Sequence, residues 1–355
     1  MQITLTLRGN KEDCLYFVKP LVDISSVDAV LVFRDEQGYP ASKAKYIIIP
    51  KTLIKTWFKI PYRLLQMVFN YNRNIILFIG IYEIPHGLLA LILGWIYRKP
   101  SVVCIISNPA YSKLRKGIRK SAMHFIARRA TFVTTTGSKS MQYFKEISIP
   151  ENKLFILPNS IDIDVFKPCA DTKRVYDIIT LSRLSPEKNL LIFISVIEEL
   201  VQYFPNLKVA IGGSGPEAEL ILRTIHQKNL QNIISMLGFV DEKQLPLFFN
   251  QGRVFLACSE TEGFPRTVIE SMSCGIPCVT SNVGDMEDLV KHGSNGFLIE
   301  DYTNINDYVD KSIKLLKDKE LYTKFSVNAR RDVTEKFSYE ASTKLWETII
   351  SKIKK

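Results

Sequence analysis

The stretch SETEGFPRTVIESMSCGIPCVTS, residues 259–281, places two carboxylates, Glu262 and Glu270, on either side of a Gly-Phe-Pro turn. VFLACS ahead of it has strand character, and Arg266 to Met272 has helical character closed by Gly275-Ile276-Pro277. Pro265 falls where proline is favoured, at or near the first helical position. The free N–H groups of that first turn, around Arg266, Thr267 and Val268, then carry the positive end of the helix dipole, an arrangement that favours a phosphate. Glu270 lies one turn on, along the face of Thr267, and can accept two hydrogen bonds from a vicinal diol such as a ribose. Glu262, before Gly263, is left to reach hydroxyls on the other side of the phosphates. The competing reading makes Glu270 a solvated residue on an exposed helix face.

A diphosphate needs more positive charge than one helix end supplies. LSRLSPEKN offers Arg183 and, across a proline turn, Lys188. Charge-assisted contacts of this kind contribute roughly 1.5–3 kcal/mol each. The bland alternative is that both are surface residues paired with Glu187.

These side chains need a scaffold that gathers them. In the second half, VYDIITLS, LKVAIGG, NIISMLGFV, VFLACS and PCVTS are short apolar runs, each followed by a polar loop and a helical pattern. Such alternation indicates βαβ units and a parallel sheet covered on both faces, with ligands at the strand ends that carry the turns. AVLVFR, KYIIIP, NIILFIG, SVVCIIS and ATFVTTT are strand-like in the first half. LPNSIDIDVFKP reads as the linker. The expected organisation is an N-terminal Rossmann-like domain over 1–160, a C-terminal one over 161–334, and a helix over 335–355 that packs back on the N-terminal domain.

SRLSPEKN, IGGSGP, LGFV, ETEGFPRTVIESMSCGIPCV and NGFLI, in this order, resemble the C-terminal domain of the family 4 (group 1) retaining glycosyltransferases. The resemblance covers about Lys153 to Ile299 and includes LPNSIDIDVF, with Ser160 where the family's interdomain segment has glycine. It implies an α/β GT-B fold, two Rossmann-like domains with parallel sheets facing across a central cleft. It also implies a nucleoside diphosphate sugar as donor, no metal, and a catalytic set of Glu262, Arg183 and Lys188. Glu270 would hold the ribose and the backbone near Val240 the base. Gly263, Phe264, Thr267 and Val268 would grip the donor sugar and leaving phosphate. Such a site works chiefly by electrostatic stabilisation of the departing diphosphate, with retention through front-face attack, so the two-carboxylate glycosidase scheme does not transfer.

Two other motifs are read as decoys. Asp162-Ile163-Asp164 spells an acidic metal-binding triplet, but within the linker. Gly213-Ser214-Gly215-Pro216 lacks the third glycine of a dinucleotide loop and is read as a tight strand-to-helix turn.

The N-terminal half departs from the family. Only Arg8-Gly9-Asn10 stands for the glycine-rich loop, and Ser107 and Asn108 occupy the place of a donor-contacting histidine. Gly9, Asn108, Glu83 and His86 are therefore the acceptor-side candidates, with a structural role at a helix start as the alternative for His86.

The chain of 355 residues carries a net charge of +11. Through Phe166 there are 23 Lys+Arg against 11 Asp+Glu, +12, and −1 in the remainder, so the first half is expected to meet an anionic partner. Seven Lys and Arg lie between Lys113 and Arg129. In KTLIKTWFKIPYRLLQMV, Lys51, Lys55, Lys59 and Arg63 form one helical stripe, with Leu53, Trp57, Ile60, Leu64 and Val68 opposite, the pattern of a peripheral membrane helix. The alternative is a helix packed on its own sheet. No nucleic-acid motif accompanies the charge. Ile75 to Tyr97 is long enough to span a bilayer, but Glu83, Pro85, His86 and Gly87 interrupt it, and a strand followed by a buried helix over Gly87–Tyr97 is expected. The six cysteines form no disulfide framework and are read as reduced, cytosolic thiols, with Cys274 and Cys278 as core residues rather than a zinc pair.

The function expected is transfer of a hexosyl or N-acetylhexosaminyl group from a nucleotide sugar to a lipid-linked saccharide or envelope polysaccharide precursor, of the lipopolysaccharide or capsule kind. The protein would be peripheral on the inner face of the cytoplasmic membrane. The rivals are an epimerase-like relative and a catalytically silent nucleotide-sugar-binding subunit.

Overall fold

The structure, a computed structural model, describes residues 1–8, 11–53, 58–110 and 117–353, with 11–13 as backbone. Gly9, Lys55 and Trp57 lie outside the described residues. The chain forms two compact units, Met1–Ser160 with Tyr339–Lys355, and Ile161–Ser338.

Unit 1 alternates strand and helix: β1 (Gln2–Thr6), α1 (Lys11–Val22), β2 (Ala29–Arg34), β3 (Ala44–Ile48), α2 (Lys59–Phe69), β4 (Ile75–Ile81), α3 (Leu88–Tyr97), β5 (Ser101–Ile105), α4 (Ile118–Arg129), β6 (Phe132–Thr135), α5 (Ser138–Glu146) and β7 (Leu154–Ile156). The seven strands pair in parallel in the order β3-β2-β1-β4-β5-β6-β7. Because strand side chains alternate between faces, Val30, Val32, Leu77 and Ile79 serve one core, while Leu31, Phe33 and Phe78 serve the other.

Unit 2 repeats the plan with β8 (Tyr176–Leu181), α6 (Leu190–Tyr203), β9 (Val209–Gly212), α7 (Ala218–Gln227), β10 (Ile234–Gly238), α8 (Leu245–Asn250), β11 (Gly252–Ala257), α9 (Arg266–Ser273), β12 (Cys278–Ser281), α10 (Met286–Leu289), β13 (Gly296–Ile299), α11 (Ile305–Lys317) and α12 (Lys319–Phe337). Its six parallel strands run β10-β9-β8-β11-β12-β13. Both sheets are thus doubly covered α/β layers of Rossmann type. The final helix, α13 (Tyr339–Ile353), follows α12 after the single residue Ser338 and buries Trp346, Ile349 and Ile350 in the core of unit 1. The expected start of that helix at Glu335 lies instead within α12.

Two sequence expectations need correction. The helix expected to be buried is buried on one side only: Leu89, Ala90 and Leu93 are in the core, but Trp95 is 82% exposed. Among the described residues no helix is long and apolar enough to cross a membrane. Of the basic stripe expected over residues 51–63, Lys59 and Arg63 turn inward. Arg63 is 2% exposed and, with Lys59, binds the Asp35 carboxylate in the loop after β2. Burial opposes ionisation of Asp35, but Lys59 and Arg63 outweigh it and hold the carboxyl below its usual value. Lys51 lies in an exposed turn before α2.

Candidate active site

In unit 2 the candidate residues come from two loops at the C-terminal ends of β8 and β11. After β8 the chain passes Arg183, makes a short turn at Pro186–Lys188, and enters α6 through Asn189 in the left-handed conformation. The turn is fixed from within: Ser185 donates to Glu187 (2.7 Å) and Arg183 to the same oxygen (2.8 Å). Burial raises the Glu187 carboxyl, but the Ser185 hydroxyl and Arg183 overcome it and keep the pKa low. The Glu260 amide donates to the Glu187 carbonyl at 2.9 Å, tying this loop to the one after β11.

Lys188 does not pair with Glu187. Its Nζ lies 2.5 Å from Oε1 of Glu262, and Ser259 donates to the same oxygen at 2.8 Å. Both charged side chains are largely buried, 20% and 15% exposed. They line a small pocket with Ser182, Ser259, Thr267 and Val268, so the first turn of α9 opens on the Lys188–Glu262 pair. Pro265 caps that helix from an extended conformation, and its side chain offers the first-turn amides no hydrogen bond. The site therefore combines a helix N-terminus, an ammonium and a carboxylate at the edge of a parallel sheet. Arg183 remains 69% exposed and pairs with Glu187, as the bland reading of that residue held.

Glu270 is not a solvated helix residue. Its side chain is 2% exposed, and Arg266, one turn earlier, donates to it at 3.1 Å. Phe264 is also buried, its ring 5.4 Å from that of Phe337. Val240 is half-buried, beside Gly212 at the end of β9.

Close backbone contacts hold these loops in register. A Cβ on Gly213 (φ +127°) would lie 1.8 Å from the Ser182 carbonyl oxygen, so the Gly-Ser-Gly turn packs directly against the loop bearing Arg183. Gly284 (φ +59°) stands in the same relation to the Glu262 carbonyl, at 2.1 Å. Sequence reasoning singled out neither Gly284 nor Ser259. Arg330 was also missed: it donates to the carbonyls of Ile163, Phe166 and Ser273, fastening the C-terminal end of α9 to the segment before β8. Gly284 in a Val-Gly-Asp turn was the readable signal; Arg330 carries none in its neighbours.

Asp162 Oδ1 accepts from the amides of Asp164 and Val165 and so caps a turn. Burial pushes the thiols of Cys274 and Cys278 up to about 12. Among the described residues no group of three or more His, Cys, Asp or Glu could hold a metal ion.

The acceptor-side candidates belong to unit 1. His86 is 2% exposed, and its Nδ1 meets the Thr6 hydroxyl at the end of β1, 2.8 Å away. Burial, reinforced by the Arg63 guanidinium, pushes its pKa down to about 3, so the imidazole is neutral at neutral pH. Glu83 is half-buried on the segment between β4 and α3, and Asn108 accepts from the Ala110 amide at 3.0 Å.

Comparison with known proteins agrees with this geometry. The chain is 28% identical over 295 residues to the N-acetyl-alpha-D-glucosaminyl L-malate synthase of Bacillus anthracis, covering 76% of this chain and 72% of that protein. It is 27% identical over 283 residues to the UDP-Gal:alpha-D-GlcNAc-diphosphoundecaprenol alpha-1,3-galactosyltransferase of Escherichia coli, covering 72% of each. The crystal structure of Anabaena Alr3699/HepE in complex with UDP and glucose superposes with a TM-score of 0.82 at 18% identity over 99% of both chains, which establishes the GT-B fold. The family profile described as glycosyl transferases group 1 matches residues 166–332, nearly the whole of unit 2.

Proposed function

We propose that the protein is a retaining glycosyltransferase that moves a hexosyl or N-acetylhexosaminyl group from a nucleoside diphosphate sugar to a lipid-linked saccharide or envelope polysaccharide precursor. The observation that carries this reading is the Lys188–Glu262 pair at the open first turn of α9. A donor diphosphate would lie on the amides of Thr267 and Val268, with Lys188 beside it. Arg183, on an exposed and mobile-length side chain, would exchange Glu187 for phosphate as charge builds on the leaving group. Glu262, released from Lys188, would take hydroxyls of the donor sugar. Glu270 would exchange Arg266 for the ribose diol, and the backbone at Val240 would meet the base. The departing phosphate would accept the proton of the attacking hydroxyl, so that the new glycosidic bond forms on the face the leaving group vacates. In this reading no metal is required.

The relatives support the class of reaction, since their names specify transfer to small, lipid-linked and polymeric acceptors. We place the enzyme on the inner face of the cytoplasmic membrane, where a lipid-linked acceptor would be presented. The test is incubation with UDP-, GDP- and dTDP-sugars, with and without acceptor and chelator, followed by NMR of the anomeric proton. Turnover of one donor, retained configuration and insensitivity to chelator are expected. Binding without turnover would identify a silent subunit, and epimerised donor would identify an epimerase.

A further inference from the structure

The outer surface of α3 and α4 joins exposed apolar side chains to basic ones. Between Glu83 and Glu146 the sequence holds 11 Lys and Arg and no Asp or Glu, a charge equal to the +11 of the whole protein. Both helices cover the same face of the seven-stranded sheet: Leu89 and Leu93 pack with Phe78, and Met123 and Ile126 with Val103 and Val133. Once an amphipathic helix has buried one stripe, its other side is normally polar. Here Ile118 is 88% exposed, Trp95 82%, Phe125 55% and Ile96 49%. Trp95 and Phe125 line one groove together with Lys99 and Arg129, and the Arg129 guanidinium lies 5.8 Å from the Phe125 ring centroid. Arg128 is exposed beside it.

We propose that this face docks on an anionic phospholipid bilayer, with Trp95, Ile96, Ile118 and Phe125 entering the acyl boundary and Lys99, Arg128 and Arg129 meeting lipid phosphates. Both halves of the pattern are needed for that assignment. Basic charge alone would suit any polyanion, but exposed isoleucines gain nothing from nucleic acid, whereas they gain by leaving water for lipid. Tryptophan beside basic residues is the side-chain chemistry of a membrane–water boundary. A two-fold pairing with a second copy would set this surface against itself, and its acid-free helices would bring like charges together. The surface is distinct from the Lys51–Arg63 segment, whose Lys59 and Arg63 face Asp35. It does not depend on the donor reading, which calorimetry with UDP tests separately.

The full chain should sediment with vesicles of phosphatidylglycerol and phosphatidylcholine, and not with phosphatidylcholine alone. Arg128→Glu with Arg129→Glu should weaken that binding by about tenfold or more, while Lys51→Glu leaves it unchanged. Brominated acyl chains should quench tryptophan fluorescence, and Trp95→Phe should abolish most of the quenching. Thermal melting shows that each variant is folded. Equal binding to both vesicle types, binding to neither, or quenching that survives Trp95→Phe overturns the proposal. So does a dimer, without vesicle binding, that Trp95→Ala dissociates, or nucleic acid that displaces the protein from vesicles at this face.

Discussion

Lys188 and Glu262 are 74 residues apart in the chain and 2.5 Å apart in the fold, and the ammonium occupies the carboxylate oxygen that Ser259 also serves. The pair joins the loop after β8 to the loop after β11 at the mouth of α9. Lys188→Ala removes the cation that lines the pocket with Thr267 and Val268 and should weaken UDP binding by about 1.5–3 kcal/mol, roughly 10- to 150-fold. Titration calorimetry on folded protein checks this, and unchanged affinity would remove Lys188 from the phosphate site.

Glu270 gives a sharper test of the sugar contact, because its proposed role depends on two hydroxyls. Wild-type protein should prefer UDP over 2′-deoxy-UDP, and Glu270→Gln should lose most of that preference while melting near the wild-type temperature. A preference that survives the substitution would leave Glu270 as the buried partner of Arg266 and nothing more.

Gly284→Ala should disturb the site without touching any charge. The new methyl would meet the Glu262 carbonyl at 2.1 Å on a backbone with φ +59°. A left-handed conformation alone costs about 1–2 kcal/mol for an alanine, and the clash moves the Glu262 loop as well. Lower stability together with a larger fall in turnover is expected. A loss of stability with turnover intact would show that the loop's position does not matter to chemistry.

Acid stability should depend on His86. Its pKa is about 3 in the fold against 6.5 for the free group, so between those values the unfolded chain binds the additional proton. The contribution is intact above about pH 6.5 and is lost as pH falls toward 3, approaching about 1.4 kcal/mol per pH unit. His86→Asn should flatten this limb in denaturant titrations at a series of pH values. Asp35, whose carboxyl lies below its usual value, adds its loss only toward the acid end, as pH falls through its folded pKa. An unaltered slope in His86→Asn would mean that the imidazole is protonated in the fold.

The alternating strands and helices were legible because buried parallel strands are short apolar runs with turn residues at their ends. The components of the site were legible for the same reason, since each lies just past such a run. Their pairing was not. Arg183 with Glu187 is a local contact that spacing suggests, whereas Lys188 with Glu262 follows from β8 and β11 being neighbours in the sheet, which no local pattern encodes. The direction of α2 stayed open between two readings, because a helical wheel gives the angle between stripes but not which one faces inward. Asp35, distant in sequence, draws Lys59 and Arg63 inward and leaves Leu65 52% and Phe69 82% exposed. Trp95 was assigned to the interior by the apolar run around it, although hydropathy carries no information about what covers a helix's far side.

Ile161 and Ser338, the first and last residues of unit 2, bridge each other, and the Ile161 amide donates to the Phe337 carbonyl at 2.9 Å. Unit 2 is therefore an uninterrupted length of chain closed at its own ends, while unit 1 is assembled from the segments on either side of it. On the ribosome the domain begun second can finish its core first. The domain begun first must wait for Trp346, Ile349 and Ile350, which complete the core around Leu5, Val18 and Val32 and are made only after the whole of unit 2. A stop codon shortly after Ser338 would thus leave unit 2 whole and strip an apolar wall from unit 1, exposing strands to the aggregation that threatens unfinished α/β sheets.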